Sequence, residues 1–306
     1  MPPIIFIVGA TATGKTEVAY ELAKQINAEI VSCDSMVFYK ESSIITSKPP
    51  QYMLSEAKHH FVGMISVKDT YNIFDYYVSA TNKIKELFKN NIPVVVCGGS
   101  GLYVKALLDG IFKGAGQDTE LRKKLEEQAQ KYGKEYLQEE LRKVDPQTAD
   151  KVKDLRRIIR ALEVYRLTGV PLSKKKKESD GLWGKLPIKI FGLNFKREKL
   201  YERINKRVDI MFENGAVNEV EGLLKLNLSS TSEKIIGIKE ISGYLKGEYN
   251  IEQAKELMKK NTRNFAKRQL TWFRSDKRIN WLDMDGLSTE QIVDKILSKL
   301  EVDNHV

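Results

Sequence analysis

Cysteine is nearly absent from this chain of 306 residues: it has two, Cys33 and Cys97, each inside an apolar strand-like run and without C-x-x-C spacing. That excludes a disulfide scaffold and a cysteine-based metal cluster, and it reads as reduced core thiols of a cytoplasmic protein. Histidine is scarce as well. The adjacent pair His59 and His60 would point to opposite sides of an extended chain, which makes them poor co-ligands for a metal. No apolar run approaches the length of a membrane span. The first, residues 4–8, stops at Gly9 and has no basic residue before it, which excludes a signal peptide. Internal repeats and coiled-coil heptads are missing too.

What is present is an apolar fraction of 42%, in a chain long enough for one large domain with an insertion or for two domains. The formal net charge of +10 is local, because residues 153–177 and 255–278 each hold nine Lys and Arg against two acids, which leaves the remainder slightly acidic. Such runs are either solvated helix faces or the footprint of a polyanionic partner.

The stretch Gly9-Ala10-Thr11-Ala12-Thr13-Gly14-Lys15-Thr16 follows the apolar run and precedes a helix-forming segment. In this G-x-x-x-x-G-K-[ST] pattern, loop N–H groups and a helix N-terminus surround phosphate oxygens, Lys15 reaches the distal phosphate and Thr16 offers a hydroxyl to Mg²⁺. The chemistry therefore involves a polyphosphate. A second strand, expected over 28–33, delivers Asp34 and Ser35 at its carboxyl end, facing the same crevice. A third, over 93–97, runs into Gly98-Gly99-Ser100-Gly101-Leu102-Tyr103 with no acid, so the metal-holding carboxylate of a conventional NTPase is missing. Asp34 then addresses an acceptor molecule or caps the next turn.

Between these landmarks, residues 36–67 show little periodicity and read as a long functional loop, followed by a helix over 73–89. From residue 118 the pattern turns to short charged helices over 120–132, 134–143 and 154–168, then the run Lys174-Lys175-Lys176-Lys177 as a basic linker. Residues 118–185 are therefore expected to form a helical insertion, and 1–117 with 186–306 the α/β core. In that core a helix over 199–214 stacks Arg203 and Arg207 one turn apart, a spacing that suits a diphosphate. A helical segment over 251–275 carries a stripe of Lys259, Arg263 and Lys267 among aromatics, a nucleic-acid footprint that core packing mimics. The expected fold class is α/β: a core like the P-loop-containing nucleoside triphosphate hydrolases, with a parallel sheet and a helical insertion domain.

In order and spacing, the P-loop, Asp34-Ser35-Met36, Ser47-Lys48-Pro49, His59-His60, the glycine-rich residues 98–103, Arg156-Arg157-Ile158-Ile159-Arg160-Ala161-Leu162-Glu163-Val164-Tyr165, Arg203-Ile204-Asn205-Lys206-Arg207 and Ala266-Lys267-Arg268-Gln269-Leu270-Thr271-Trp272-Phe273-Arg274 make the chain resemble the bacterial tRNA dimethylallyltransferases over nearly its whole length. The resemblance implies transfer of a dimethylallyl group from dimethylallyl diphosphate to N6 of adenine 37, in tRNAs that read codons beginning with U. It implies Mg²⁺ as cofactor, the tRNA anticodon stem-loop as partner, and a monomer with no membrane and no obligate protein partner. By the same resemblance Asp34 takes the N6 proton, Thr11 assists at the bridging oxygen of the leaving diphosphate, and residues 9–16 with Arg203 and Arg207 hold that diphosphate, Lys15 among them as a catalytic residue. The implied tRNA contacts are Asp34, Ser35, Met36, Val37, Ser100, Arg122, Arg156, Arg157, Arg160 and Lys267.

The chain departs from the family pattern at Ala10 (Pro), Val37 (Gln), Phe38 (Val), Ile45 (Gly), Ser47 (Ala), Phe61 (Leu), Val62 (Ile) and Gly63 (Asp). Val37 removes a polar contact to the adenine or its neighbours. The zinc-finger extension of eukaryotic relatives is absent, so no structural zinc is expected. A P-loop kinase of a small acceptor, a prenyltransferase of free adenine nucleotides and a non-enzymatic RNA-binding protein are the competing readings; the two basic segments favour an RNA substrate.

Overall fold

The computed structural model describes residues 3–112 and 116–302. The chain forms two compact units, one made of Met1–Leu108 with Leu182–Val306 and the other of Asp109–Gly181. The first begins with β1 (Ile4–Gly9), α1 (Lys15–Ile26), β2 (Glu29–Ser32), α2 (Gln51–Glu56), β3 (His59–His60), α3 (Ile73–Lys89), β4 (Val94–Gly98) and α4 (Gly101–Asp109). The second holds α5 (Thr119–Tyr132), α6 (Lys134–Val144), α7 (Pro146–Lys151), α8 (Leu155–Thr168) and α9 (Leu172–Lys177). The first resumes with β5 (Ile188–Asn194), α10 (Arg197–Glu213), α11 (Ala216–Leu224), α12 (Ile238–Leu245), α13 (Ile251–Arg274), β6 (Ile279–Asp283) and α14 (Thr289–Val302).

The six strands pair in parallel in the order β3-β2-β4-β1-β5-β6. Both faces of the sheet are covered. Ile5 and Ile7 of β1 enter a core with α1, α10 and α14, whereas Ile4, Phe6 and Val8 enter another with α3 and α4. Burial on both sides is why these strands read as continuous Val and Ile runs rather than alternating ones. Cys33 and Cys97 pack into opposite cores, and both are free thiols. Among the described residues no helix is long and apolar enough to cross a membrane.

The long segment after β2 is more structured than expected. It contains α2, β3 and a parallel bridge between Tyr39 and Ile65, and its Tyr39, Ile45 and Val67 share a third core with Val208, Met211, Ile241 and Met258. Glu219 on α11 pins it: its carboxylate accepts the backbone N–H groups of Ser43, Ile44 and Ile45. Apolar partners scattered over helices far along the chain leave no local period to read.

The helical unit has its own core of Leu125, Leu137, Leu141, Ile158 and Leu162. Its bounds differ from the expected 118–185 for a packing reason. Phe112 joins this core, while Leu182 packs beside α3 and α4, and the Leu182 and Trp183 N–H groups donate to Leu107 and Leu108. Residues 174–177, expected as a linker, are instead the end of α9, anchored by buried Leu172 and by the Ser173 N–H donating to Asp145.

At the centre of this unit the carboxylate of Glu163, fully buried, accepts from Arg122 Nε and Nη2 at 2.9 Å, from Arg160 at 2.6 Å and from the Asp118 N–H at 2.9 Å. Burial pushes its pKa up, but these bonds outweigh it and hold the group below the usual carboxylate value. A depressed folded pKa stabilises the fold above the unfolded value of about 4.3, and that contribution is lost as pH falls through the folded one. Glu163→Gln is expected to destabilise the protein by about 1–3 kcal/mol at neutral pH. It should also flatten the loss of stability in acid; urea unfolding in neutral and acidic buffer measures both.

Candidate active site

The carboxyl ends of β1, β2, β4 and β5 meet at one crevice, where open parallel sheets bind ligands. After β1 the chain turns through Ala12 (φ 63°) and Gly14 (φ 85°) before α1 begins at Lys15. Thr13 is buried, and its hydroxyl donates to the Ala10 carbonyl at 2.9 Å, which holds the turn closed. The N-terminus of α1 has no side-chain cap, so its first N–H groups are left for an anion. Lys15 Nζ folds back onto the Ala10 carbonyl.

Two arginines from α10 close this cradle from the other side. Arg203 Nε donates to the Ala12 carbonyl at 2.9 Å, with its guanidinium 4.7 Å over the Phe195 ring. Arg207 donates from Nε to Ser47 Oγ at 2.7 Å and from Nη1 to Thr11 Oγ1 at 3.2 Å. A cleft lined by Gly14, Lys15, Thr16, Arg203, Lys206 and Arg207 results. Burial lowers the pKa of Lys15, against Cys97 and Asp34, which favour the ammonium; burial likewise lowers that of Arg207, against Glu17 and Asp34. Cations drawn out of water in this way gain most from an anionic ligand.

Asp34 leaves the end of β2, where the chain passes so close to β4 that a Cβ on Gly98 would lie 2.1 Å from the Cys33 carbonyl oxygen. Its Oδ1 accepts the Met36 N–H at 3.1 Å, and the Ser35 N–H donates to Ser100 Oγ at 3.1 Å, which ties the two strand ends together. Asp34, Thr11 and Arg207 border a cavity of about 220 Å³ whose other walls include Met36, Ile45, Met211, Met258, Phe265 and Arg268. The same three residues border a second cavity with Lys15, Thr16, His59 and Cys97. A carboxylate, a hydroxyl and a phosphate-type cradle therefore face one partly apolar space, which suits proton removal from one group beside departure of an anionic one.

The sequence profile described as IPP transferase matches residues 37–276. The chain belongs to the IPP transferase family. It is 42% identical to the tRNA dimethylallyltransferase of Halothermothrix orenii, over 96% of this chain and 91% of that one. It is 41% identical to the tRNA dimethylallyltransferase of Carboxydothermus hydrogenoformans, over 98% of each. Among solved structures it is similar to the full-length tRNA isopentenylpyrophosphate transferase of Bacillus halodurans, with TM-score 0.72 and 34% identity over 100% and 99% of the two chains. It is also similar to a eukaryotic dimethylallyltransferase acting on tRNA, with TM-score 0.79 and 26% identity over 98% of this chain and 80% of that one.

In this member of the IPP transferase family, the residues expected to meet donor and proton lie together: Thr11, Lys15, Thr16, Asp34 and Arg207 line one cavity, with Arg203 beside them. Residues expected at RNA are more dispersed. Met36 lines the cavity of about 220 Å³, and Val37, although largely buried in the core, borders the second cavity beside Asp34 and Lys15. In the helical unit Arg156 and Arg157 are exposed on α8, whereas Arg122 and Arg160 are engaged by Glu163. Lys267 is exposed on α13; Lys259 and Arg263 of the expected stripe instead turn toward α10, onto Asp209 and Asn205.

The donors available to Mg²⁺ fit a metal carried largely by its ligand. Among the described residues no cluster of three or more His, Cys, Asp and Glu could hold an ion. The Thr16 hydroxyl lines the cleft, and with diphosphate oxygens and water it would supply the hard oxygen set that Mg²⁺ takes. One residue has no role assigned from the sequence: Gln269, buried on α13 and bonded to Thr11. A polar residue between core positions Ala266 and Phe273 of an otherwise amphipathic helix is the available signal.

Proposed function

We propose that this protein is a tRNA dimethylallyltransferase, moving the dimethylallyl group of dimethylallyl diphosphate onto N6 of adenine 37 in tRNAs that read codons beginning with U, as a cytoplasmic monomer. The observation that carries this reading is the shared cavity, in which the Asp34 carboxylate and the Thr11–Arg207 pair border the same partly apolar space. The N6–C1 bond forms as the C1–O bond to diphosphate breaks, and the proton displaced from N6 goes to Asp34. The exocyclic amine is a weak nucleophile, so removal of that proton is the step a carboxylate serves best. Lys15, Arg203, Arg207 and the α1 N-terminus neutralise charge gathering on the leaving diphosphate. Thr11 Oγ1 accepts from Arg207, which leaves its own proton to donate to the bridging oxygen. Mg²⁺, when bound, supplies further charge neutralisation at the diphosphate.

Adenine 37 must leave the anticodon-loop stack to enter the cavity, a flipped-base arrangement in which phosphate contacts hold the loop while the base is handled. The kinase reading lacks support from the end of β4, where Gly98, Gly99 and Ser100 stand in place of a metal-holding acid.

Labelled dimethylallyl diphosphate, Mg²⁺ and unmodified tRNA with A36-A37-A38 test the proposal, beside the same tRNA with G37 and beside AMP. Label is expected in the A37 tRNA alone; label in AMP, or phosphate transfer from ATP, would replace the proposal. Changing residues 174–177 of α9 to Ala is expected to weaken tRNA binding and to reduce the salt slope by about 0.7–0.9 for each phosphate no longer neutralised. Filter binding across a salt series checks this, and an unchanged slope would leave the run as a solvated helix end.

A further inference from the structure

The P-loop has an anchor outside its own strand and helix. Gln269 on α13 is 5% exposed; its Oε1 accepts the Thr11 N–H at 2.8 Å and its Nε2 donates to the Gly99 carbonyl at 2.8 Å. The partners set the orientation of the amide, because an N–H requires an acceptor and a carbonyl a donor. The fit is tight: a Cβ on Gly99 would stand 2.4 Å from Nε2. The helix cannot roll to relieve it, since Ala266 packs into the core below α1 and Phe273 into the core beside α3 and α4.

The consequence falls on Thr11. Its amide, which in a phosphate-binding loop is free to meet an anion, is already engaged by Gln269, while its hydroxyl meets Arg207 and its side chain borders both cavities. The neighbour on the helix, Arg268, lines the acceptor cavity. One turn of α13 thus reaches the acceptor space and the donor loop together.

We propose that Gln269 is a positioning residue: by tying the Thr11 amide to the turn after β4, it directs the Thr11 hydroxyl at the leaving diphosphate. This rests on the transferase reading above. Gln269→Met has similar volume and removes both bonds. It is expected to lower kcat about 10–100-fold, because a misaimed group loses most of its transition-state value, while KM for tRNA stays within about twofold. The deciding measurement is a cycle with Thr11→Ala. If Gln269 acts through the Thr11 hydroxyl, the double variant is no slower than Thr11→Ala to within about twofold, whereas a merely structural role makes the two losses multiply.

Should Gln269→Met fail to fold, Gln269→Glu, which still accepts from the Thr11 N–H but cannot donate to Gly99, enters the same cycle. Multiplying losses, an unchanged kcat in the Gln269 variants, or an unchanged kcat in Thr11→Ala would each overturn the positioning role. Absence of transfer by the unaltered protein would overturn the transferase reading instead.

Discussion

Asp34→Asn is expected to lower kcat by about 10²–10⁴ while leaving tRNA affinity within about threefold, because a general base acts in the transition state and contributes little to ground-state binding. The substitution is chosen for what it preserves. Asn can accept the Met36 N–H as Asp34 Oδ1 does at 3.1 Å, so the turn after β2 and the Ser35–Ser100 link should survive. What it loses is the charge and the ability to take a proton. The charge has a second, opposite effect. Asp34 favours the charged forms of Lys15 and Arg207, and it also repels an incoming diphosphate across the same cavity. The KM for the donor should therefore stay the same or fall while kcat collapses. Single-turnover rates, donor titrations and filter binding separate the three quantities. A large loss of tRNA affinity with unchanged turnover would make Asp34 a binding group and leave the proton without an acceptor.

Those parts of the site that depend on local pattern are legible in the amino-acid sequence itself. The run from Ile4 through Thr16 announces strand, turn and helix because a buried strand, two glycines and a helix start leave marks in adjacent residues, and Asp34 is marked by the strand that delivers it. The pair Arg203 and Arg207 shows the helical spacing that brings both to the cradle. What stays hidden is set by partners distant in sequence. Gln269 meets Thr11 across 258 positions, and Glu219 grips residues 43–45 across more than 170. Basic residues are the most misleading. Nothing in a helix period separates Lys267, which faces solvent, from Lys259, which turns onto Asp209, or Arg156 from Arg160, which joins the Glu163 cluster. The sign of a charge can be read locally, but its partner is a property of the fold.

Arg207→Lys is expected to reduce kcat/KM for the diphosphate donor by about 10²–10³, although it conserves charge, because the site uses the planar fork of the guanidinium. Arg207 places Nε on Ser47 and Nη1 on Thr11, two groups on different segments, and so joins the loop after β2 to the P-loop. Ser47 sits at φ 50°, a conformation that a non-glycine residue holds only when its surroundings fix it. An ammonium has no fork with which to hold both partners and also face an anion. Its second weakness is burial, which already lowers the pKa of Arg207 and would act on a group whose ordinary value is lower by about two units. A buried lysine is charged below its depressed pKa and loses its proton as pH rises. The variant should therefore lose further activity as pH is raised above neutrality, while the unaltered protein, with a guanidinium that stays charged, shows no such decline from this group. Measuring kcat/KM for the donor from neutral to alkaline pH, with Arg203→Lys at the more exposed neighbour as the comparison, tests both the size of the loss and its direction with pH. Equal kcat/KM and superimposable pH profiles for Arg207→Lys and the unaltered protein would show that a point charge suffices, and that the Ser47–Arg207–Thr11 link has no part in holding the donor.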